Sequence, residues 1–164
     1  MLFASEEERA SRTFVLDAVR AGSAIDHAAE TLKDDIEIIK AAVARSGFAL
    51  KEASARLRDD SEVVTIAVQS RGLALEYASP RMQNDRRCVL AAVIQNGGAL
   101  RFVSAELRND RDVVAAAVQQ YGRALMYASA ELQQDPILVS TALAATQRGG
   151  AVHVQEVEVV ADWD

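Results

Sequence analysis

The side chains able to do chemistry are few. Aspartate doublets stand at Asp34-Asp35 and Asp59-Asp60. Paired carboxylates can divide general-acid and general-base roles when a shared, partly buried setting drives their pKa values apart. Single aspartates follow at Asp85, Asp110 and Asp135, and serines at Ser54, Ser79, Ser104 and Ser129, spaced as a set of ligand positions would be. Cys88 is the one cysteine, and His27 and His153 are the two histidines. A cysteine nucleophile needs a base beside it, and a metal site needs several ligands at close spacing. Neither pattern occurs, nor does a glycine-rich loop that would cradle a phosphate. The sequence therefore nominates no catalytic, cofactor-binding or metal-binding residue, and it reads as a non-enzyme.

The spacing of these residues has a simpler cause. Asp35, Asp60, Asp85, Asp110 and Asp135 are 25 residues apart, and Gly47, Gly72, Gly97 and Gly122 keep the same step. So do Ala49-Leu50, Ala74-Leu75, Ala99-Leu100 and Ala124-Leu125, the four serines, and Leu32, Leu57, Met82, Leu107 and Leu132. Such self-similarity marks a tandem array. Ser11 to Val19 joins the register after a single-residue deletion, and Phe3-Ala4-Ser5 matches Tyr77-Ala78-Ser79, so the opening residues read as the inside of a repeat, either part of a longer array or a degenerate cap. Each aspartate stands where a helix N-cap belongs, which leaves the doublets in wet cap loops. Val63, Val64, Ala67 and Val68 form the apolar stripe of a helix over 61–71. Gly72 is placed to end that helix in the left-handed conformation. Pro136, directly after Asp135, suits a first helical position. Leu73 to Ala78 reads as a second, shorter helix, and Ser79-Pro80 as the cap of a one-turn connector. Two equal helices would be interrupted by Pro80.

Helices this short are marginal alone in water, so stacking must hold them. The expected fold is all-α: an α-solenoid, taken as right-handed, of six repeats with helix starts near 11, 35, 60, 85, 110 and 135, spanning residues 1–150. With axes ~8–10 Å apart, six units extend roughly 50–60 Å. Cys88 falls in the column of Ile38, Val63, Val113 and Leu138, which predicts a buried, inert thiol. His27 shares the column of Tyr77, Phe102 and Tyr127, a ladder of half-buried rings or the lining of a peptide groove. Segment 81–111 carries Arg81, Arg86, Arg87, Arg101, Arg108 and Arg111 against Asp85, Glu106 and Asp110, a local excess of +3 that reads as a solvated face or a dock for an acidic partner. Residues 151–164 break the pattern: five valines, four acids, and no Lys or Arg. This acidic, Val-rich tail reads as a short strand or a disordered end. A strand there would pair with a partner's sheet edge or with the tail of a second copy.

The chain has 164 residues, a net charge of −6, 5% aromatic residues and 50% hydrophobic residues. That supports one core of helices and argues against nucleic-acid binding, which favours a basic balance. No stretch approaches the ~20 apolar residues of a membrane span, and a lone cysteine favours a reducing compartment. The unit from Asp60 to Asp85 reads D-x-E-V-V-x-x-A-V-x-x-x-G-x-A-L-x-Y-A-S-x-x-L-x-x-D. Over residues 3–146 the chain resembles the repeats of domain of unknown function 4116. The resemblance implies a helical array and brings no activity, cofactor or site residue with it. The expected role is a protein–protein interaction or scaffold module. The alternatives are a structural subunit of a larger assembly and a small-molecule-binding protein.

Overall fold

The computed structural model describes residues 4–149, and among them the fold is an all-α solenoid. Six α-helices form its spine: α2 (Arg12–Arg20), α3 (Ile36–Arg45), α4 (Ser61–Ser70), α6 (Arg86–Gln95), α7 (Arg111–Gln120) and α8 (Pro136–Gly149). Two one-turn helices, α1 (Glu6–Ala10) and α5 (Pro80–Gln83), serve as connectors. The aspartate column caps the spine. Asp35, Asp60, Asp110 and Asp135 each accept from the second and third backbone N–H groups of their helix, and Asp85 accepts from that of Cys88. Ser11 stands at the same place in the first repeat but makes no side-chain cap bond.

The second element is a 3₁₀ helix, tighter than the α-helical turns its composition suggested. It spans Gly47–Glu52, Gly72–Tyr77, Gly97–Phe102 and Gly122–Tyr127. Its glycine and its leucine stand three residues apart and are both buried in the first three copies, as an eclipsed 3₁₀ face allows. Leu75 and Leu100, one turn after Gly72 and Gly97, have no exposure.

The glycine column corrects the sequence reading. Among the described residues only Gly22 has positive φ, at 106°, so Gly47, Gly72, Gly97 and Gly122 are not left-handed helix ends. They are glycines because the next repeat leaves no room for a side chain. A Cβ there would lie 2.3, 2.3, 2.2 and 2.3 Å from the carbonyl oxygens of Ala67, Ala92, Ala117 and Ala142. The alanine column that supplies these carbonyls is small for the same reason, letting each 3₁₀ helix press on the following spine helix.

The core runs through every junction. One column of each spine helix after α2 faces backward: Ile38, Val63, Cys88, Val113 and Leu138, all at 2% exposure or less. Two columns face forward: Val15 and Val19, Ile39 and Val43, Val64 and Val68, Val89 and Val93, Val114 and Val118, all at 1% or less. α8 keeps the forward columns as Val139 and Leu143. It has Gln147 in place of the glycine and continues as a single helix to Gly149.

Candidate functional site

The serine column does more than cap a turn. Ser54, Ser79, Ser104 and Ser129 each accept the N–H of the residue three positions on, at 3.2–3.3 Å. Each hydroxyl also donates across the junction, to Asp34, Asp59, Asn84 and Asn109 respectively. The same serines' N–H groups donate to the carbonyls of Lys33, Arg58, Gln83 and Arg108, and Ala29 repeats that rung onto Arg9. One side chain thus caps the start of its own turn and fastens its repeat to the one before.

This arrangement places the doublets among bonds that join successive repeats. Asp34 receives Ser54 and Arg56, and Asp59 receives Ser79 and Arg81. The Ser54 hydroxyl, then the Arg56 guanidinium, holds the Asp34 carboxyl below its ordinary range, and Ser79 and Arg81 do the same for Asp59. Asp35 is held low by Arg12, which bridges from the preceding repeat at 2.6 Å. Carboxylates made more acidic and engaged in structural bonds are the opposite of a general acid poised near neutrality.

Three of the six arginines of segment 81–111 are spent in the same way. Arg81 pairs with Asp59, Arg86 with Asp110 and Asp112, and Arg111 with Asp135, each across a junction. Arg101 lies over the Phe102 ring at 4.3 Å. Cys88 is buried, and burial, with the Asp85 charge, pushes its thiol up to about 12. Tyr77, Phe102 and Tyr127 pack half-buried against the core. Tyr77 meets Phe48 edge-on at 6.4 Å, a contact between columns that a ladder within one column did not predict. His27 is also half-buried, with Nε2 3.4 Å from Asp26. His153 and the acidic tail lie outside the described residues.

Two places break the periodicity, and both form concave surfaces. The first lies where the first repeat has lost a residue. α2 has nine residues against ten in α3, α4, α6 and α7. The chain then turns at Gly22 where later repeats form a 3₁₀ helix. A cavity of about 670 Å³ opens there, walled by Val19, Ile25, Ala42 and Phe48 with Arg45 and Glu52 among its polar residues. Arg45 donates to the Arg20 carbonyl at 3.4 Å. In its column Gln95 and Gln120 instead accept the Gly72 and Gly97 N–H groups, at 2.6 and 2.8 Å. Arginine has no acceptor to offer, and the Gly22 N–H turns to Val19 at 3.0 Å.

The second is the forward face of the last described repeat. Val139 and Leu143 are 36% and 61% exposed in columns that are closed at every earlier junction. With Leu125, Met126 and Ala142 they line a groove of about 390 Å³, edged by Arg123, Gln133 and Thr146. Nothing in the residue types of the earlier repeats marks this place, because the same side chains are ordinary core there. The departure at Gln147 was the available clue.

The chain matches the family described as Domain of unknown function (DUF4116) over residues 11–58, 37–83, 60–108 and 85–133. It belongs to that family. Each match to DUF4116 covers two successive repeats and shares one with the next, so the family unit is a pair of stacked repeats and the junction between them. No curated protein and no solved structure matches the chain. Among the described residues, no helix is long and apolar enough to cross a membrane.

Proposed function

We propose that this DUF4116 chain is a non-enzymatic interaction module that uses the forward face of α8 to seat another helical element. The exposure of Val139 and Leu143 supports this reading. At five junctions the same columns are covered by a following helix, so the surface complementary to them is a helix with a β-branched and alanine stripe. Exposed apolar residues grouped in one groove are the usual mark of an interaction site. The nearby 3₁₀ helix Gly122–Tyr127 contributes Met126, whose flexible side chain adapts to a partner.

The test is a crosslinked pull-down from the native source with three baits: the natural chain, Val139→Asp with Leu143→Asp, and Ile94→Asp. Ile94 is 64% exposed and lies outside the groove, so its variant controls for loss of apolar surface in general. A stoichiometric partner held by the natural chain and by Ile94→Asp but lost from the double variant supports the reading. A partner retained equally by all three baits, or by none, refutes it.

The cavity at the first junction favours a second reading, a small-molecule site. Its volume, about 670 Å³, falls within the ~300–1,000 Å³ of ligand pockets, and its walls are apolar with a few charged groups. A thermal-shift screen of amphipathic metabolites checks it, with Ala42→Phe, which fills the cavity, abolishing any stabilisation found.

A further inference from the structure

The forward face has a covering segment at hand. α8 leads directly out of the groove and ends at Gly149. Beyond it the sequence continues with Gly150 and then Ala151 to Asp164, which include Val152, Val154, Val157, Val159 and Val160. The glycine pair 149–150 removes the side-chain barrier to reversing the chain. The 14 residues of α8 rise about 21 Å, whereas eleven residues, 151–161, reach roughly 36 Å when extended. The segment is therefore long enough to return along the helix and past the groove. Its valines supply the apolar side chains the groove lacks. Its two acids, Glu156 and Glu158, with no Lys or Arg in the segment, suit a rim that carries Arg123.

We propose that residues 151–161 occupy the Val139–Leu143 groove in cis and that a partner gains the face by displacing them. This rests on the interaction reading and adds its regulation. A tethered segment acts at an effective concentration in the millimolar range for a short flexible link. A weak groove ligand can therefore shield the face, and a partner must out-compete it. The mode differs from strand addition to a partner's sheet, because it asks only for apolar contact with the chain's own last repeat.

Hydrogen exchange on the full chain tests it, with Leu143→Asp and the free peptide 150–164 for comparison. The expected result is exchange over 151–161 slowed at least about tenfold in the natural chain and returned to the free-peptide rate by Leu143→Asp. Trp163, the one tryptophan, gives a second readout through acrylamide quenching that increases in the variant. Exchange over 151–161 equal in all three samples overturns the proposal. So does a dimer, by light scattering, that Leu143→Asp dissociates without changing the tail's exchange, since a second copy is then the occupant. The pull-down repeated with residues 1–149 separates this idea from the one beneath it. Protection of the tail with no partner captured by either chain leaves the cis contact standing and removes the interaction role. A partner captured equally by both chains, with an unprotected tail, does the reverse.

Discussion

Replacing Gly97 by alanine tests why the glycine column exists. The new Cβ would lie 2.2 Å from the Ala117 carbonyl oxygen and 2.9 Å from the Tyr121 Cβ. Ordinary contact needs about 3.5 Å, so the fifth repeat must retreat by roughly 1 Å. Overpacking of this kind costs about 1–3 kcal/mol. The retreat also stretches the bond from the Gly97 N–H to Gln120, now 2.8 Å, worth about 0.5–1.5 kcal/mol. Against this, alanine lowers the entropy of the unfolded chain by the equivalent of about 0.4–1 kcal/mol, because the φ here is not positive. The net expectation is a loss of about 2–3 kcal/mol, or a fall in Tm of roughly 5–10 °C. Gly98, the next residue, is the control. A Cβ there would meet only the Asn96 Oδ1 at 3.0 Å, the acceptor of the Gly98 N–H, and the Leu73 Cδ2 at 3.8 Å, both ends of side chains and neither of them backbone. Gly98→Ala should stay within about 0.5 kcal/mol of the natural chain. Thermal and urea unfolding followed by circular dichroism at a helical wavelength measures both variants. If Gly97→Ala matches Gly98→Ala or exceeds the natural stability, close approach is not the reason for the glycine.

Further predictions concern the junction bonds and the buried thiol. Ser79→Ala removes an N-cap and the donor to Asp59 together, and a lower urea midpoint by about 1–2 kcal/mol is expected. Arg81→Glu places a second acid beside Asp59 and lowers Tm. Adding Asp59→Asn recreates the pairing in which the Asn84 amide donates to Glu106 at 3.1 Å, and Tm should recover. The lowered carboxyls of Asp34, Asp35, Asp59, Asp110 and Asp135 fix the sign of the acid response. Their stabilisation is complete above the unfolded value near 3.8 and is lost as pH falls through the lower folded values. Tm should therefore be insensitive to these groups near neutrality and drop below about pH 4. A decline centred at pH 6 would assign the transition to other groups. Cys88, with its thiol pushed up to about 12, should ignore a disulfide reagent in the native protein and react at once in denaturant. Rapid native labelling would contradict its burial.

The repeat, the helical class and the aspartate caps were legible in the sequence because each follows from local rules repeated at a fixed step. Asp60 followed by Val63, Val64, Ala67 and Val68 specifies a capped amphipathic helix without reference to the rest of the chain. What escaped reading depends on two repeats at once. Gly72 reads as a helix end, yet its reason is the Ala92 carbonyl 20 residues later. The clasp between Ser79 and Asp59 also spans 20 residues, a spacing visible only once repeats are stacked. One clue lay in the columns: where Asp34 and Asp59 become Asn84 and Asn109, Arg56 and Arg81 become Glu106 and Glu131. That joint exchange keeps the pairs compatible and marks the two columns as neighbours. The cavity follows from a missing residue in the first repeat, whose effect on the 3₁₀ helix no pattern rule reports. The open face involves no unusual residue at all. Val139 and Leu143 are core side chains in kind, and only their place in the stack exposes them.

The most direct test of the interaction reading is photo-crosslinking at the face itself. Leu143→p-benzoylphenylalanine places a reactive ketone in the groove, and Ile94→p-benzoylphenylalanine places one on an exposed site outside it. Both are made in the full chain and in residues 1–149 and irradiated in native extract. A discrete intermolecular adduct at position 143, stronger in the shorter chain and absent at position 94, is the predicted result. No intermolecular adduct at 143 in either chain, or the same adducts at both positions, contradicts the account.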